Sequence, residues 1–236
     1  ANGYLGHCRL SIIDLATGGQ PMFSQDKNLV LVFNGEIYNY LEIKEELSAQ
    51  GYTFQTTSDS EVLLVGYQAW GENLVDHLRG MYAFVIYDVQ NDQYYGARDH
   101  FGIKPFYYYH GENSFIFASE AKAILKHPDY HLELDKELLP LYLRFNYVPV
   151  DKTMFKGIHR LEAGTCFTYR QGRLSLRKYF RMEMTGEGTT KEEIQKTMKN
   201  SVDHHLLSDV KVGSFLSSGI DSSYLVSLSK VSDTYT

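Results

Sequence analysis

The stretch Leu29-Val30-Leu31-Val32-Phe33-Asn34-Gly35-Glu36-Ile37-Tyr38-Asn39 decides how the chain is read. Leu29 to Phe33 is a continuous apolar, β-branched run and predicts a strand; Asn34-Gly35 is a turn signal and predicts that the chain reverses there. The same grammar recurs downstream. Tyr82 to Tyr87 is a second run, broken at Asn91-Asp92, with Gln93 to Arg98 as its hairpin partner. Phe106 to Tyr109 pairs with Ser114 to Ala118 around His110-Gly111, and Thr165 to Tyr169 pairs with Leu174 to Tyr179 around Gln171-Gly172. Helices fit between the strands: Tyr40 to Ala49, and a segment opened by Ser58-x-x-Glu61, which has the form of a capping box. Many strands with a few inserted helices predict an α+β fold of two packed sheets with helices outside.

Composition agrees with a packed core. Of 236 residues, 43% are hydrophobic and 22% charged, which excludes a disordered or fibrous chain. The net charge of −6 argues against a broad nucleic-acid or anionic-membrane surface. No run of 18 apolar residues occurs, so no transmembrane helix is expected. The two cysteines, Cys8 and Cys166, form no C-x-x-C and have no histidine pair nearby; free thiols in a reducing, cytoplasmic setting are expected. The opening Ala-Asn-Gly-Tyr and the closing strand-like Val231 to Thr236 lead us to expect a piece of a longer protein.

Near Met182 to Thr190 the chain turns polar and glycine-bearing, which predicts a linker. Ile194, Met198, Val202 and Leu206 then recur at i+4 and predict an amphipathic helix. Val210 to Leu216 predicts a short strand, leading through Ser217-Ser218-Gly219-Ile220-Asp221-Ser222-Ser223 into a helix around Tyr224 to Leu228: the opening of a Rossmann-like α/β unit.

Several residues suggest chemistry, each beside a plainer reading. Small residues at a helix start suit a phosphate or pyrophosphate, so Ser217 to Ser223 is either an anion cradle or an ordinary capped turn. It is not a Walker A loop, since no Gly-Lys-Ser/Thr follows. The Asn34 amide and the Gly35 N–H can hold an oxyanion, and Glu36 can accept from an ammonium group; alone, the pair is also a hairpin turn. Arg9, within an apolar run, either holds a carboxylate or sits exposed on an edge strand. Asp59 binds an amine or merely complements a helix dipole. His100 reads as a hydrogen-bonded structural histidine, and Tyr107 to Tyr109 as strand packing.

Taken in order, Leu10-Ser11-Ile12-Ile13-Asp14, Asn34-Gly35-Glu36-Ile37-Tyr38-Asn39, Ser58-Asp59-Ser60-Glu61, Gly80-Met81-Tyr82-Ala83-Phe84, Arg98-Asp99-His100-Phe101-Gly102-Ile103-Lys104-Pro105 and Ser119-Glu120-Ala121-Lys122-Ala123 resemble the glutamine-hydrolysing asparagine synthetase family over nearly the whole chain. The resemblance implies an Ntn-hydrolase αββα sandwich at residues 1–181, a class II (type-2) glutamine amidotransferase domain. A linker at 182–190 would follow, then the start of a Rossmann-like ATP-pyrophosphatase domain at 191–236. It implies that Arg9 clamps a glutamine α-carboxylate and that Glu36 and Asp59 hold its α-ammonium. By the same resemblance, Asn34 and Gly35 would form the oxyanion hole, and Ile12 and Ile13 would line the pocket with their backbone. Leu216, Ser217, Ser218, Gly219, Ile220, Asp221, Ser222 and Ser223 would take ATP, with Ser218 standing where the family's motif has glycine. It further implies ATP as substrate with Mg²⁺, aspartate as acceptor, a β-aspartyl-AMP intermediate and a possible homodimer. The family's nucleophile, an N-terminal cysteine, is expected upstream, so these residues alone are expected to be inactive. Alternative readings are a ring-closing paralogue, amidotransfer to a sugar phosphate, which the Ser217 to Ser223 loop argues against, and a non-catalytic module.

Overall fold

A computed structural model describes residues 3–10, 12–14, 16–149, 151–184, 186 and 188–236. In chain order the elements are β1 (Met22–Phe23), β2 (Leu29–Ile37), α1 (Tyr40–Ala49), α2 (Asp59–Trp70), β3 (Gly80–Asp88), β4 (Gln93–Arg98), β5 (Tyr107–His110) and β6 (Phe115–Ala118). They continue with α3 (Ala121–Ile124), α4 (Leu139–Phe145), β7 (Ile158–Arg160), β8 (Thr165–Arg170), β9 (Arg173–Lys178), α5 (Lys191–His205), β10 (Ser214–Phe215), α6 (Ile220–Ser229) and β11 (Thr234–Tyr235).

Six strands form one antiparallel sheet in the order β1-β2-β3-β4-β8-β9, and three form a second in the order β6-β5-β7. Alternation along the central strands explains the layering. Leu29, Leu31 and Phe33 of β2, with Tyr82, Phe84 and Ile86 of β3, face α1 and α2 through Ile43, Leu47, Val62 and Leu63. The intervening Val32, Ala83 and Val85 face the second sheet through Phe106, Tyr108 and Leu161. On the far side Tyr107, Tyr109 and Ile116 pack with Ile124 of α3 and Ile158 of β7. The layers are therefore helix, sheet, sheet, helix. A strand buried on both faces carries no polar alternation, which is why 29–33 reads as unbroken apolar sequence.

The expected turn at Asn34-Gly35 does not form. β2 runs on to Ile37, paired with β3 from Leu29↔Asp88 to Ile37↔Gly80. Gly35 adopts φ +153°, and a Cβ there would collide with the Met81 carbonyl oxygen and lie 2.7 Å from Tyr82 Cα. The glycine serves the close approach of two strands, not a reversal.

The capping box at Ser58 is also corrected. Ser58 is the N-cap of α2 and accepts from the Ser60 N–H at 3.2 Å. Glu61, however, accepts from the N–H groups of Gln55 and Thr56 at 2.7 Å each, closing the loop before the helix. A reciprocal box does occur at Thr190 and Glu193, opening α5. Of the expected strand at Val210 to Leu216, only Ser214–Phe215 is extended, paired in parallel with Thr234–Tyr235 across α6. That helix starts at Ile220, a turn earlier than expected, with Gly219 as N-cap. Leu206, placed on the amphipathic stripe, is the C-cap of α5, and Val202 is the buried residue of that helix. Among the described residues, no helix is long and apolar enough to cross a membrane.

Candidate functional site

A cavity of about 410 Å³ opens at the end of the large sheet where β2 leaves it. Arg9, Ile12, Ile13, Asn34, Gly35, Glu36 and Asp59 all line it. Residues separated by up to fifty positions in the chain thus meet in one place, brought there by three independent segments.

The first segment is the irregular stretch 6–14. Arg9 lies on no strand; its guanidinium donates to the Asp14 carbonyl at 3.0 Å and the Ile13 carbonyl at 2.5 Å. A Cβ at Gly18 would collide with that guanidinium, so the glycine makes the slot in which Arg9 lies. Two of the five guanidinium donors hold the loop, and the fork keeps others for an anion. Asp14, at φ +52°, is the loop's knot: its carboxylate accepts from the Thr17 N–H at 2.7 Å, the Thr17 hydroxyl and the Thr57 N–H at 3.1 Å. Burial pushes that carboxyl up, but the bonds from Thr17 and Thr57 overcome it and hold it at about 2.

The second segment is the end of β2. Gln20 pins Phe33 like a strand edge, accepting from its N–H at 2.6 Å and donating to its carbonyl at 2.9 Å, and so sets the position of Asn34. Asn34 and Gly35 both line the cavity. The third segment is the start of α2. Asp59 is 4% exposed and accepts from the Ile37 N–H at 3.0 Å. Burial pushes its carboxyl up to about 6; Glu36 adds to the push, while the Ile37 bond and Arg9 oppose it. Glu36 is raised as well, chiefly by burial, with Lys104 and His205 pulling it down. The cavity thus brings the carboxylates of Glu36 and Asp59 together with the guanidinium of Arg9, groups able to pair with the ammonium and the carboxylate of an α-amino acid.

Lys104, Gln20 and His7 line the cavity and were not singled out from the sequence. Lys104 is delivered by the turn after β4. Fully buried Asp99 accepts from the N–H groups of Tyr82, Phe101, Ile103 and Lys104, while Arg98 donates to the carbonyls of Gly102, Lys104 and Leu161. The Arg98-Asp99 pair was legible as a charged turn; its signal for a site was the lysine at its end. His100 packs edge-on against Tyr179 and Phe180 and makes no part of the cavity wall; burial lowers its pKa. Among the described residues its neighbours are aromatic rings and its imidazole makes no hydrogen bond, so packing stands where a hydrogen bond was expected. Cys8 and Cys166 are free thiols, and exposed Cys8 also faces the cavity. A larger cleft of about 910 Å³ around Leu134 and Phe155 holds none of these residues.

Residues 1–180 match the family described as glutamine amidotransferase domain. The chain belongs to the glutamine amidotransferase family. Residues 193–233 of this amidotransferase match a second family, asparagine synthase. Asparagine synthetase [glutamine-hydrolyzing] 1 of Bacillus subtilis (strain 168) is 45% identical over 95% of the chain. Asparagine synthetase B [glutamine-hydrolyzing] of Escherichia coli (strain K12) is 36% identical over 97%. The chain spans 36% and 37% of the length of these two relatives. A solved structure, the allosteric regulatory enzyme of purine biosynthesis, superposes with a TM-score of 0.51 at 18% identity over 97% of this chain and 50% of that one. That likeness bears on the fold alone, the αββα sandwich.

The amidotransferase's second set of expected residues forms a turn at the start of α6. Ser217 and Ser222 hydroxyls lie 2.9 Å apart, the Gly219 N–H donates to the Ser217 hydroxyl at 3.2 Å, and the Ser223 hydroxyl donates to the Gly219 carbonyl at 2.9 Å. Asp221, Ser222 and Ser223 stand in the first turn of the helix rather than in the loop before it. Gly219 has φ −79°, accessible to any residue. Among the described residues, no cluster of three or more His, Cys, Asp or Glu side chains could hold a metal.

Proposed function

We propose that the chain is the glutamine-hydrolysing part, and the beginning of the ATP-using part, of an asparagine synthetase. The observation that carries this is the meeting of Arg9, Asn34-Gly35-Glu36 and Asp59 in one cavity of a glutamine amidotransferase. The asparagine synthase match at 193–233 and the relatives' names supply the acceptor side. In this reading residues 1–181 form the amidotransferase domain, 182–190 a linker, and 191–236 the start of the synthetase domain.

Arg9 holds the glutamine α-carboxylate with the donors it does not give to Ile13 and Asp14. Asp59 and Glu36 hold the α-ammonium. The backbone of Ile12 and Ile13 closes the same wall. The γ-carbonyl then points at Asn34 and Gly35, whose N–H groups stabilise the oxyanion that forms when the amide is attacked. Water enters and glutamate and ammonia leave. On the other side, Leu216 and Ser217 to Ser223 receive ATP, with hydroxyls and helix N–H groups facing its phosphates and Leu216 near the adenine. Aspartate attacks the α-phosphorus and expels pyrophosphate; ammonia displaces AMP from β-aspartyl-AMP and gives asparagine. Among the described residues no cluster of carboxylates builds a Mg²⁺ site, and we expect that ion to arrive on the nucleotide phosphates. A cytoplasmic setting and a homodimer complete the proposal.

The test uses the full-length native protein with ATP, Mg²⁺ and aspartate, and either glutamine or ammonium as nitrogen source. Asparagine and pyrophosphate are expected from both. The Arg9→Met variant is expected to lose glutamine-dependent synthesis by at least a hundredfold while retaining the ammonium-dependent rate. An Arg9→Met variant as active with glutamine as the parent would sink the pocket assignment, and inactivity of the parent with both nitrogen sources would sink the acceptor assignment.

A further inference from the structure

The loop carrying Arg9 is held from two sides. Arg9 and Thr17 hold it from within; Asp209 holds it from the far end of the chain. The Asp209 N–H donates to the Ile12 carbonyl at 3.1 Å, and the Asp209 carboxylate accepts from the Asp14 N–H at 2.7 Å. These bonds bracket Ile13, which is 5% exposed, lines the cavity and accepts from Arg9 through its carbonyl. Asp14 in turn holds the N–H of Thr57, two residues before Asp59. One residue from the asparagine synthase segment therefore grips the knot to which both the carboxylate-binding and the ammonium-binding sides of the pocket are tied.

The grip has a fixed base. Asp209 lies just past α5, where the Val210 N–H donates to the Ser208 hydroxyl at 3.1 Å and sets the turn. The helix itself docks on the pocket's own supports: His204 bonds Glu42 of α1 at 3.1 Å, His205 lies against Tyr38 with ring centroids 4.3 Å apart, and Asn200 accepts from Arg79 at 2.7 Å. Tyr38 directly follows the Glu36-Ile37 end of β2.

We propose that Asp209 is a positioning residue for the glutamine pocket, so that the seat of Arg9 depends on docking of the segment that follows the amidotransferase domain. The proposal rests on the reading of that cavity as a glutamine site. It makes glutamine affinity, and not the ammonium-dependent reaction, sensitive to a residue that touches neither substrate. Asp209→Ala removes the side-chain acceptor and keeps the backbone donor; Asp209→Asn keeps an acceptor oxygen and the shape.

The experiment takes full-length parent, Asp209→Ala and Asp209→Asn proteins. It measures KM for glutamine, kcat with glutamine, kcat with ammonium, and hydrogen exchange of the peptide spanning residues 9–17. Asp209→Ala is expected to raise the glutamine KM about tenfold, the loss of one hydrogen bond, with kcat for ammonium unchanged and exchange in the loop faster. Asp209→Asn is expected to lie near the parent. An unchanged glutamine KM in Asp209→Ala, or an equal fall with both nitrogen sources, would overturn the proposal. If the parent does not use glutamine at all, the functional reading fails and exchange alone decides the clasp. Loop protection lost in Asp209→Ala and kept in Asp209→Asn would uphold it, and equal protection in all three proteins would overturn it.

Discussion

Asp59 is the residue whose environment says most. A carboxylate at a helix start ordinarily gains from the dipole and from free N–H groups. Here burial outweighs that gain and lifts the pKa from 3.8 to about 6. Because the folded value lies above the unfolded one, the folded chain binds more protons than the unfolded chain between about pH 4 and 6. The stability tied to Asp59 is full below about pH 4 and is lost as pH rises through 6. Asp59→Asn removes the burial of charge and keeps an acceptor for the Ile37 N–H. The variant should be more stable than the parent at pH 7 by about 2 kcal/mol. Urea unfolding should show the gap shrinking toward zero as pH falls from 6 to 4. A constant gap would show that ionisation of Asp59 is not its source. The same charge is what an ammonium group needs, so the variant should bind glutamine poorly, and the parent's glutamine KM should rise as pH falls below 6.

Among the elements, β2 and β3 carry the site through their closeness. Their ladder continues past Asn34 to Ile37 because Gly35 lets the backbones approach where any side chain would strike Met81. Gly35→Ala should force the strands apart at the cavity floor and destabilise the chain by about 3 kcal/mol. Gly19→Ala, where a Cβ would meet nothing within 4 Å, should stay within about 0.5 kcal/mol. Thermal unfolding of the two variants side by side checks this, and equal midpoints would refute the close-approach account. Element boundaries were legible wherever local chemistry had one competitor. The hairpins at Asn91-Asp92, His110-Gly111 and Gln171-Gly172 formed as read, since each needs only its own turn residues and two flanking strands. Asn34-Gly35 has the same letters but a different fate, because the competing force was a neighbouring strand 47 residues away along the Gly35↔Tyr82 register. Glu61 likewise had two partners within reach and took the loop at Gln55 and Thr56 over the cap.

Over the whole molecule, the sandwich and the α5–α6 segment are joined by an exposed stretch. The described residues of 182–190 are exposed and carry no helix or strand. Mild proteolysis should cut there before any bond within the sheets, leaving an amidotransferase fragment that ends near residue 181. Mass spectrometry of the first products checks it; an initial cut between β2 and β9 would contradict the layered core described above. Docking across this joint combines hydrogen bonds at Arg79, Glu42 and the Ile12–Asp14 loop with ring packing of His205 on Tyr38.

Sequence by itself determined the long strands of the large sheet, most helices, the layered α+β architecture and the residue types of the pocket. Apolar runs, turn pairs and lone charges such as Arg9 and Asp59 are local signals that each segment carries alone. Tertiary structure decided the rest. It put Arg9, Asn34 and Asp59 around one cavity, raised the pKa of Asp59 and turned Gly35 from a turn residue into a contact point. It also recruited Lys104, Gln20 and Asp209, whose letters are ordinary. The physical reason is one of range. Backbone propensity acts over a few residues, whereas burial, charge coupling and steric approach depend on which distant segments the sheets bring together.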